Sequence, residues 1–202
     1  MTIVYRLGCK LYINITNQCS CDCVFCLRNT QDGVGDASSL WLKREPSLDE
    51  IKLALIKAMP ANRDIDEIVF CGYGEPMMRA DVVITTSQFI KASFNEKPVP
   101  LRLNTNGLAF LMHPGFDIAE LAAIDTVSIS LNADDAVEYE RLARPVYGAV
   151  AFESLLSFAR QARAYTNVVF SVVEGTISAK RMANCQRIAD EMGVPLRIRP
   201  AE

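Results

Sequence analysis

Residues 10–26 read KLYINITNQCSCDCVFC, an alternating apolar stretch that breaks into a run of closely spaced cysteines. Leu11, Ile13 and Ile15 alternate with Tyr12, Asn14 and Thr16, the period of a strand with two unlike faces. Cys19, Cys23 and Cys26 follow in the spacing C-x-x-x-C-x-x-C. A cubane iron–sulfur cluster is usually held by four thiolates, so three close-set cysteines would hold three irons and leave the fourth open to a ligand that is not protein. One short loop wrapped round a single cube suits that spacing. Zinc is the alternative, but it needs a fourth ligand, and the only histidine, His113, stands far along the chain in a Met-His-Pro turn. Cys21 lies inside the loop as a spare thiol and leaves open which three would bind.

Outward from this run, strand-like and helix-like segments alternate to the end of the chain, which argues for a parallel sheet with crossover helices. Strands are expected near 10–16, 66–71, 100–105, 125–131, 167–173 and 195–199. Pro46 and Ser47 open a helix to about Met59, and others are expected near 81–94, 116–123, 148–165 and 178–192, the last stopped by Gly193. Six β/α units cannot close an eight-stranded barrel. The expected fold is therefore α/β, an open partial (β/α)6 TIM-like barrel with parallel strands, in one domain spanning 1–202. Ligand chemistry in such folds collects at the carboxyl ends of the strands, where the cysteine loop falls.

Parallel strands buried on both faces read as continuous apolar runs, yet four of these alternate. Leu101 and Leu103 oppose Arg102, Asn104 and Asn106; Val127, Ile129 and Leu131 oppose Ser128, Ser130 and Asn132; Leu196 and Ile198 oppose Arg197 and Arg199. Buried polar groups without partners are costly, so this pattern implies a wet lumen or a polar ligand, with helices covering the apolar set. An antiparallel sheet with one solvated face would produce the same alternation.

The run QCSCDCVFC, with the aromatic Phe25 before its last cysteine, resembles the signature of the radical S-adenosylmethionine (SAM) superfamily. By size and by the stretch GYGEP at residues 72–76, the chain looks most like the small radical SAM proteins associated with TatD-type hydrolases. The resemblance implies the same partial barrel and a [4Fe-4S] cluster on Cys19, Cys23 and Cys26. It implies an enzyme that reductively cleaves SAM to methionine and a 5′-deoxyadenosyl radical, which takes hydrogen from an unidentified substrate. A flavodoxin- or ferredoxin-type one-electron donor and anaerobic handling follow. An activase that installs a radical on a partner protein is an alternative within this class; a non-catalytic iron–sulfur or zinc-binding module is the alternative outside it.

Site residues carried over by the resemblance are Gly74, Glu75 and Pro76, whose backbone would face the amino group of SAM. Tyr73 replaces the first glycine of the usual pair. Ser130 and Asn132 correspond to groups that bond the ribose and methionine parts, Asn104 stands similarly on its strand, and Arg144 in YERLARP to an arginine that pairs with the SAM carboxylate. An ordinary strand-to-helix turn, strand-end backbone contacts and a helix-end salt bridge are the structural readings of the same residues. The adenine pattern near Glu174-Gly175-Thr176-Ile177 is poorly matched, which leaves adenine to Phe25 and backbone. Arg197 and Arg199 point to an anionic substrate group or are solvated edge charge. The loop 27–45 is long for a β/α connection and suits a lid anchored by Trp41.

Composition bounds the rest. With 202 residues, half of them hydrophobic, and a net charge of −3, the chain has no field for bulk nucleic-acid binding. No run of about 20 apolar residues is present, and the start lacks a signal-peptide pattern, so a cytoplasmic protein with no membrane contact is expected. An odd count of seven cysteines fits a reducing compartment, with Cys9, Cys21, Cys71 and Cys185 read as structural.

Overall fold

A computed structural model describes residues 1–61, 64–94 and 98–200. Seven strands form one sheet in sequential order: β1 (Val4–Leu7), β2 (Lys10–Ile13), β3 (Glu67–Phe70), β4 (Leu101–Thr105), β5 (Thr126–Ser130), β6 (Asn167–Val173) and β7 (Leu196–Arg199). From β2 to β7 every pairing is parallel. Strands β1 and β7 are the two edges, so the barrel is open. All six expected strands are present, each within three residues of its expected ends.

The expectation of a wholly parallel sheet needs one correction. Strand β1 pairs antiparallel with β2, from Val4 with Ile13 to Leu7 with Lys10, across a two-residue turn in which Gly8 takes φ +61°. A tight hairpin needs positive φ, which glycine adopts without strain. The four residues VYRL are too short to announce a strand by periodicity.

Long helices occupy the crossovers: α1 (Leu48–Ala61), α2 (Ala80–Ser93), α4 (Ala136–Ala143), α5 (Val150–Ala162) and α6 (Ala179–Met192), with a single turn α3 (Ala109–Met112) after β4. The first opens on a reciprocal cap, the Glu50 amide donating to Ser47 Oγ and the Ser47 amide to Glu50 Oε2. The last closes on Gly193 at φ +61°. Helix α4 is additional to those expected, and the segment expected as a helix near 116–123 is a 3-10 turn over Ile118–Ala123.

One apolar core lies between helices and sheet. Leu11, Ile13, Phe70, Leu103, Ile129 and Phe170 pack from the strands against Ile51, Leu55, Val83, Leu155 and Phe158 from the helices. The opposite face carries Tyr12, Asn14, Arg102, Asn104 and Ser128 in the alternation read from the sequence, and Ser171 of β6 pairs beside Ser130. Helices therefore cover the apolar set, as expected. Among the described residues no helix is long and apolar enough to cross a membrane.

Phe158 is fully buried and meets Phe110 edge-on, ring centroids 5.5 Å apart. Phe158→Ala is expected to lower unfolding free energy by about 3–5 kcal/mol in urea titrations, while the exposed Val137→Ala should shift it by less than about 0.5 kcal/mol.

Candidate functional site at the strand rim

The chain leaves β2 and turns across the carboxyl rim, where the cysteine loop is stitched to the end of α4. The Asp22 amide donates to Ala143 O at 3.0 Å, the Val24 amide to Leu142 O at 2.9 Å, and the Val146 amide to Ser20 O at 2.9 Å. Cys21 forms an isolated antiparallel bridge with Pro145. Arg144 ends the helix in the left-handed region at φ +45°, which turns the chain back over the loop.

Cys19, Cys23 and Cys26 are half-buried, whereas Cys21 is 5% exposed and belongs to the core. The Cys21 thiol donates towards Cys19 and Cys23, which draws both below the ordinary thiol value. Those same contacts, with burial, hold Cys21 far above it. Burial pushes Cys26 up. His113 is engaged with Met77 O at 2.6 Å. Among the described residues no three or more His, Cys, Asp or Glu side chains are arranged to hold a single metal ion.

The GYGEP turn after β3 grips the loop from the other side. A Cβ at Gly74 would stand 2.3 Å from Thr16 O and 2.6 Å from Gln18 O, so only glycine admits this approach. The Glu75 amide then reaches Gln18 O at 2.8 Å. Pro76 begins a 3-10 turn (Pro76–Arg79) whose missing N–H costs nothing there. Sequence reasoning assigned Glu75 a backbone role and missed its side chain, which is 4% exposed. Its carboxylate accepts from the Met77 amide at 2.9 Å, Thr105 Oγ1 at 2.8 Å and the Asn106 amide at 2.7 Å. Burial pushes this carboxyl up against the pull of those three donors. Asn106 in turn donates to Ser20 Oγ at 2.9 Å, inside the cysteine loop. The signal available was a Glu before Pro at a strand end, the pattern of a capping acid.

Tyr73, in place of the family's glycine, bonds through its hydroxyl to Gln31 O and meets Trp41 edge-on at 5.2 Å. The loop 27–45 is thereby strapped down. Asn14 Nδ2 donates to Leu40 O at 2.7 Å, and Asn17 exchanges two bonds with the Leu42 backbone.

The remaining expected residues share the inner face or the rim. Asn104 leaves Oδ1 buried without a partner among the described residues. Asn132, 3% exposed at φ +55°, does the same, as does Asn14 Oδ1. Ser130 ends β5, half-buried, and Phe25 packs against the core. Arg144 is exposed, with no ion-pair partner among the described residues. The cysteines, GYGEP and Arg144 are joined by direct bonds; Asn104, Ser130 and Asn132 share only the sheet face.

An open, sequentially wound partial barrel with a loop of closely spaced thiols at its carboxyl rim defines the class of the protein. The chain belongs to the Radical SAM superfamily, whose sequence profile matches residues 13–178. It is 32% identical over 146 residues to GTP 3′,8-cyclase of Corynebacterium glutamicum, covering 69% of this chain and 35% of that protein. The chain thus spans about a third of the length of that relative. Among solved structures it is similar to Streptococcus suis SuiB bound to S-adenosylmethionine, with TM-score 0.69, 14% identity, and 96% of this chain on 41% of that one. Archaeal TYW1 aligns with TM-score 0.54 and 10% identity over 96% of this chain and 66% of that one. At these identities the structural likeness is one of fold.

Replacing Glu75 by Gln puts an NH₂ donor among groups that already donate. Glu75→Gln is expected to cost about 1–3 kcal/mol of stability, read from the urea midpoint; an unchanged midpoint would show that the three bonds do not hold the rim.

Proposed function

We propose that the protein is a radical SAM enzyme, with residues 1–202 forming its radical SAM core. The observation that carries this reading is the placement of Cys19, Cys23 and Cys26, half-exposed at the rim, on a loop fastened by GYGEP, Asn106 and the end of α4. When bound there, a [4Fe-4S] cluster and SAM supply reductive cleavage to methionine and a 5′-deoxyadenosyl radical, which takes a hydrogen atom from the substrate.

The residues present fit both groups. Thiolates are the ligands iron–sulfur clusters take, and three of them leave one iron for a ligand from outside. Buried, unpartnered Oδ1 atoms on Asn14, Asn104 and Asn132 are acceptors waiting for donors, and SAM brings an ammonium group and ribose hydroxyls. In this reading Gly74, Glu75 and Pro76 offer backbone to the amino group, and Asn104, Ser130 and Asn132 hold the ribose and methionine portions. Arg144 would pair with the carboxylate, and Phe25 would face adenine. The strap over 27–45 excludes water from the inner face.

A low-potential one-electron donor of flavodoxin or ferredoxin type and a substrate with an anionic group facing Arg197 and Arg199, small molecule or protein, complete the scheme. The stretch GYGEP favours the TatD-associated subgroup and a functional link to a TatD-type hydrolase.

Reconstituted without oxygen and given dithionite and SAM, the protein is expected to form 5′-deoxyadenosine, and Cys19→Ala, Cys23→Ala and Cys26→Ala are each expected to abolish it. A fully clustered protein that forms none would refute the assignment. Arg144→Ala should weaken SAM binding about tenfold, the loss of roughly 1.4 kcal/mol in charge-assisted bonds, measured by calorimetry.

A further inference from the structure

The inner face of the sheet carries cations that SAM binding does not engage. Register sets Tyr12 of β2, Val69 of β3 and Arg102 of β4 in one row, two residues below Asn104 and away from the rim. Arg102 is 7% exposed, and its Nη2 meets Glu67 Oε2 at 2.9 Å. The same oxygen takes Lys10 Nζ at 2.5 Å. One carboxylate is thus divided between two cations, and Arg102 Nε is left buried with no hydrogen-bond partner among the described residues. A guanidinium can give two parallel bonds to one oxyanion, so this one is half used. Further cations come from β7, where Arg197 pairs beside Ser171 and Arg199 beside Val173, on the same face. Arg197 is exposed and makes no ion pair among the described residues. Strands β2 and β7 are far apart in the strand order, yet the curled sheet brings them within electrostatic reach. Burial raises the Tyr12 hydroxyl, and Arg102 and Arg197 both act against that rise. Against these cations stand Glu67, already divided, and Glu75, already held by three donors at the rim.

We propose that Arg102 and Arg197, with the Tyr12 hydroxyl as a further donor, form the anion-binding part of the substrate site, and that the anion is a dianion of phosphate-monoester type. That this anion belongs to the substrate rests on the radical SAM reading; the site itself rests on the register and on the half-used guanidinium. Glu67 shared by two cations leaves one positive charge over, and Arg197 supplies a second. A phosphate monoester carries nearly two negative charges above about pH 6 and matches them, whereas a carboxylate would leave one cation uncompensated. Tyr12 keeps its proton, so it donates and adds no competing charge. Held two residues below Asn104, the anion leaves the rest of the substrate directed towards the cysteine loop.

The test is calorimetric titration of anaerobically reconstituted protein with inorganic phosphate at constant ionic strength, with acetate as the carboxylate comparison. Iron content and 5′-deoxyadenosine formation are measured on the same sample. Wild type is expected to bind phosphate about tenfold more tightly than acetate. Arg197→Ala and Arg102→Gln should each weaken phosphate about tenfold, and Arg187→Ala, exposed on α6, should leave it unchanged. A wild-type protein that holds its cluster and cleaves SAM but binds no phosphate, or binds acetate as tightly, overturns the proposal and leaves the radical SAM reading standing. Arg197→Ala with full phosphate affinity overturns it equally, and this exposed position decides the matter even where Arg102→Gln fails to fold. Phosphate binding by protein that takes up no cluster supports the anion site and removes the reading that makes it a substrate site.

Discussion

Burying a carboxylate costs several kcal/mol unless donors converge on it, and the rim of this barrel is arranged round one such group. The donors to Glu75 come from its own turn, from the last residue of β4 and from the amide of Asn106. They belong to two neighbouring strand ends, so the rim turns after β3 and β4 cannot slip past each other without stranding a charge. Asn106 passes that constraint to Ser20, and the missing Cβ of Gly74 passes it to Gln18. The position of the cysteine loop is thus fixed by a carboxylate that has no other way to satisfy itself.

The inner face is the counterpart of that rigidity. Unpartnered buried oxygens on Asn14, Asn104 and Asn132 each cost about 1–3 kcal/mol, and Asn132 also sits in a left-handed conformation. These Oδ1 atoms gain no bond from the fold, although the Asn14 amide nitrogen does, donating to Thr2 O and Leu40 O. They are tolerated because the opposite face of the same strands is continuous core, and they are concentrated on the other side of the sheet.

Much of this was legible in the chain. Strand positions followed from period-two alternation, which a sheet with unlike faces imposes on sequence directly, and the cysteine spacing located the loop. What escaped detection depends on contacts remote in sequence. Strand β1 is four residues long and exists because Gly8 folds it onto β2. Helix α4 is only eight residues long, too short for its apolar positions to announce a helix by period alone, yet its end clamps the cysteine loop. The side chain of Glu75 acts through residues about thirty positions away, and no local pattern records such a pairing.

Tyr73 and Gly74 show that two adjacent positions treated alike in the family pattern are physically unlike. At Gly74 any side chain would collide with two carbonyl oxygens of the cysteine loop. At Tyr73 the side chain points away from that loop, to Gln31 and Trp41, so a large residue fits and gains contacts. Burial of Leu40 beside Tyr5 and Tyr73, with the amide contacts of Asn14 and Asn17, fastens the strap over 27–45 to the sheet. Asn14 joins the two systems: its Nδ2 holds the strap at Leu40, while its Oδ1 faces Gly72 in the rim turn. A movement that lifts the strap must release Asn14, and with it the packing of the turn that positions Gly74 against the cysteines, so the covering of the inner face and the geometry of the rim are one coupled state.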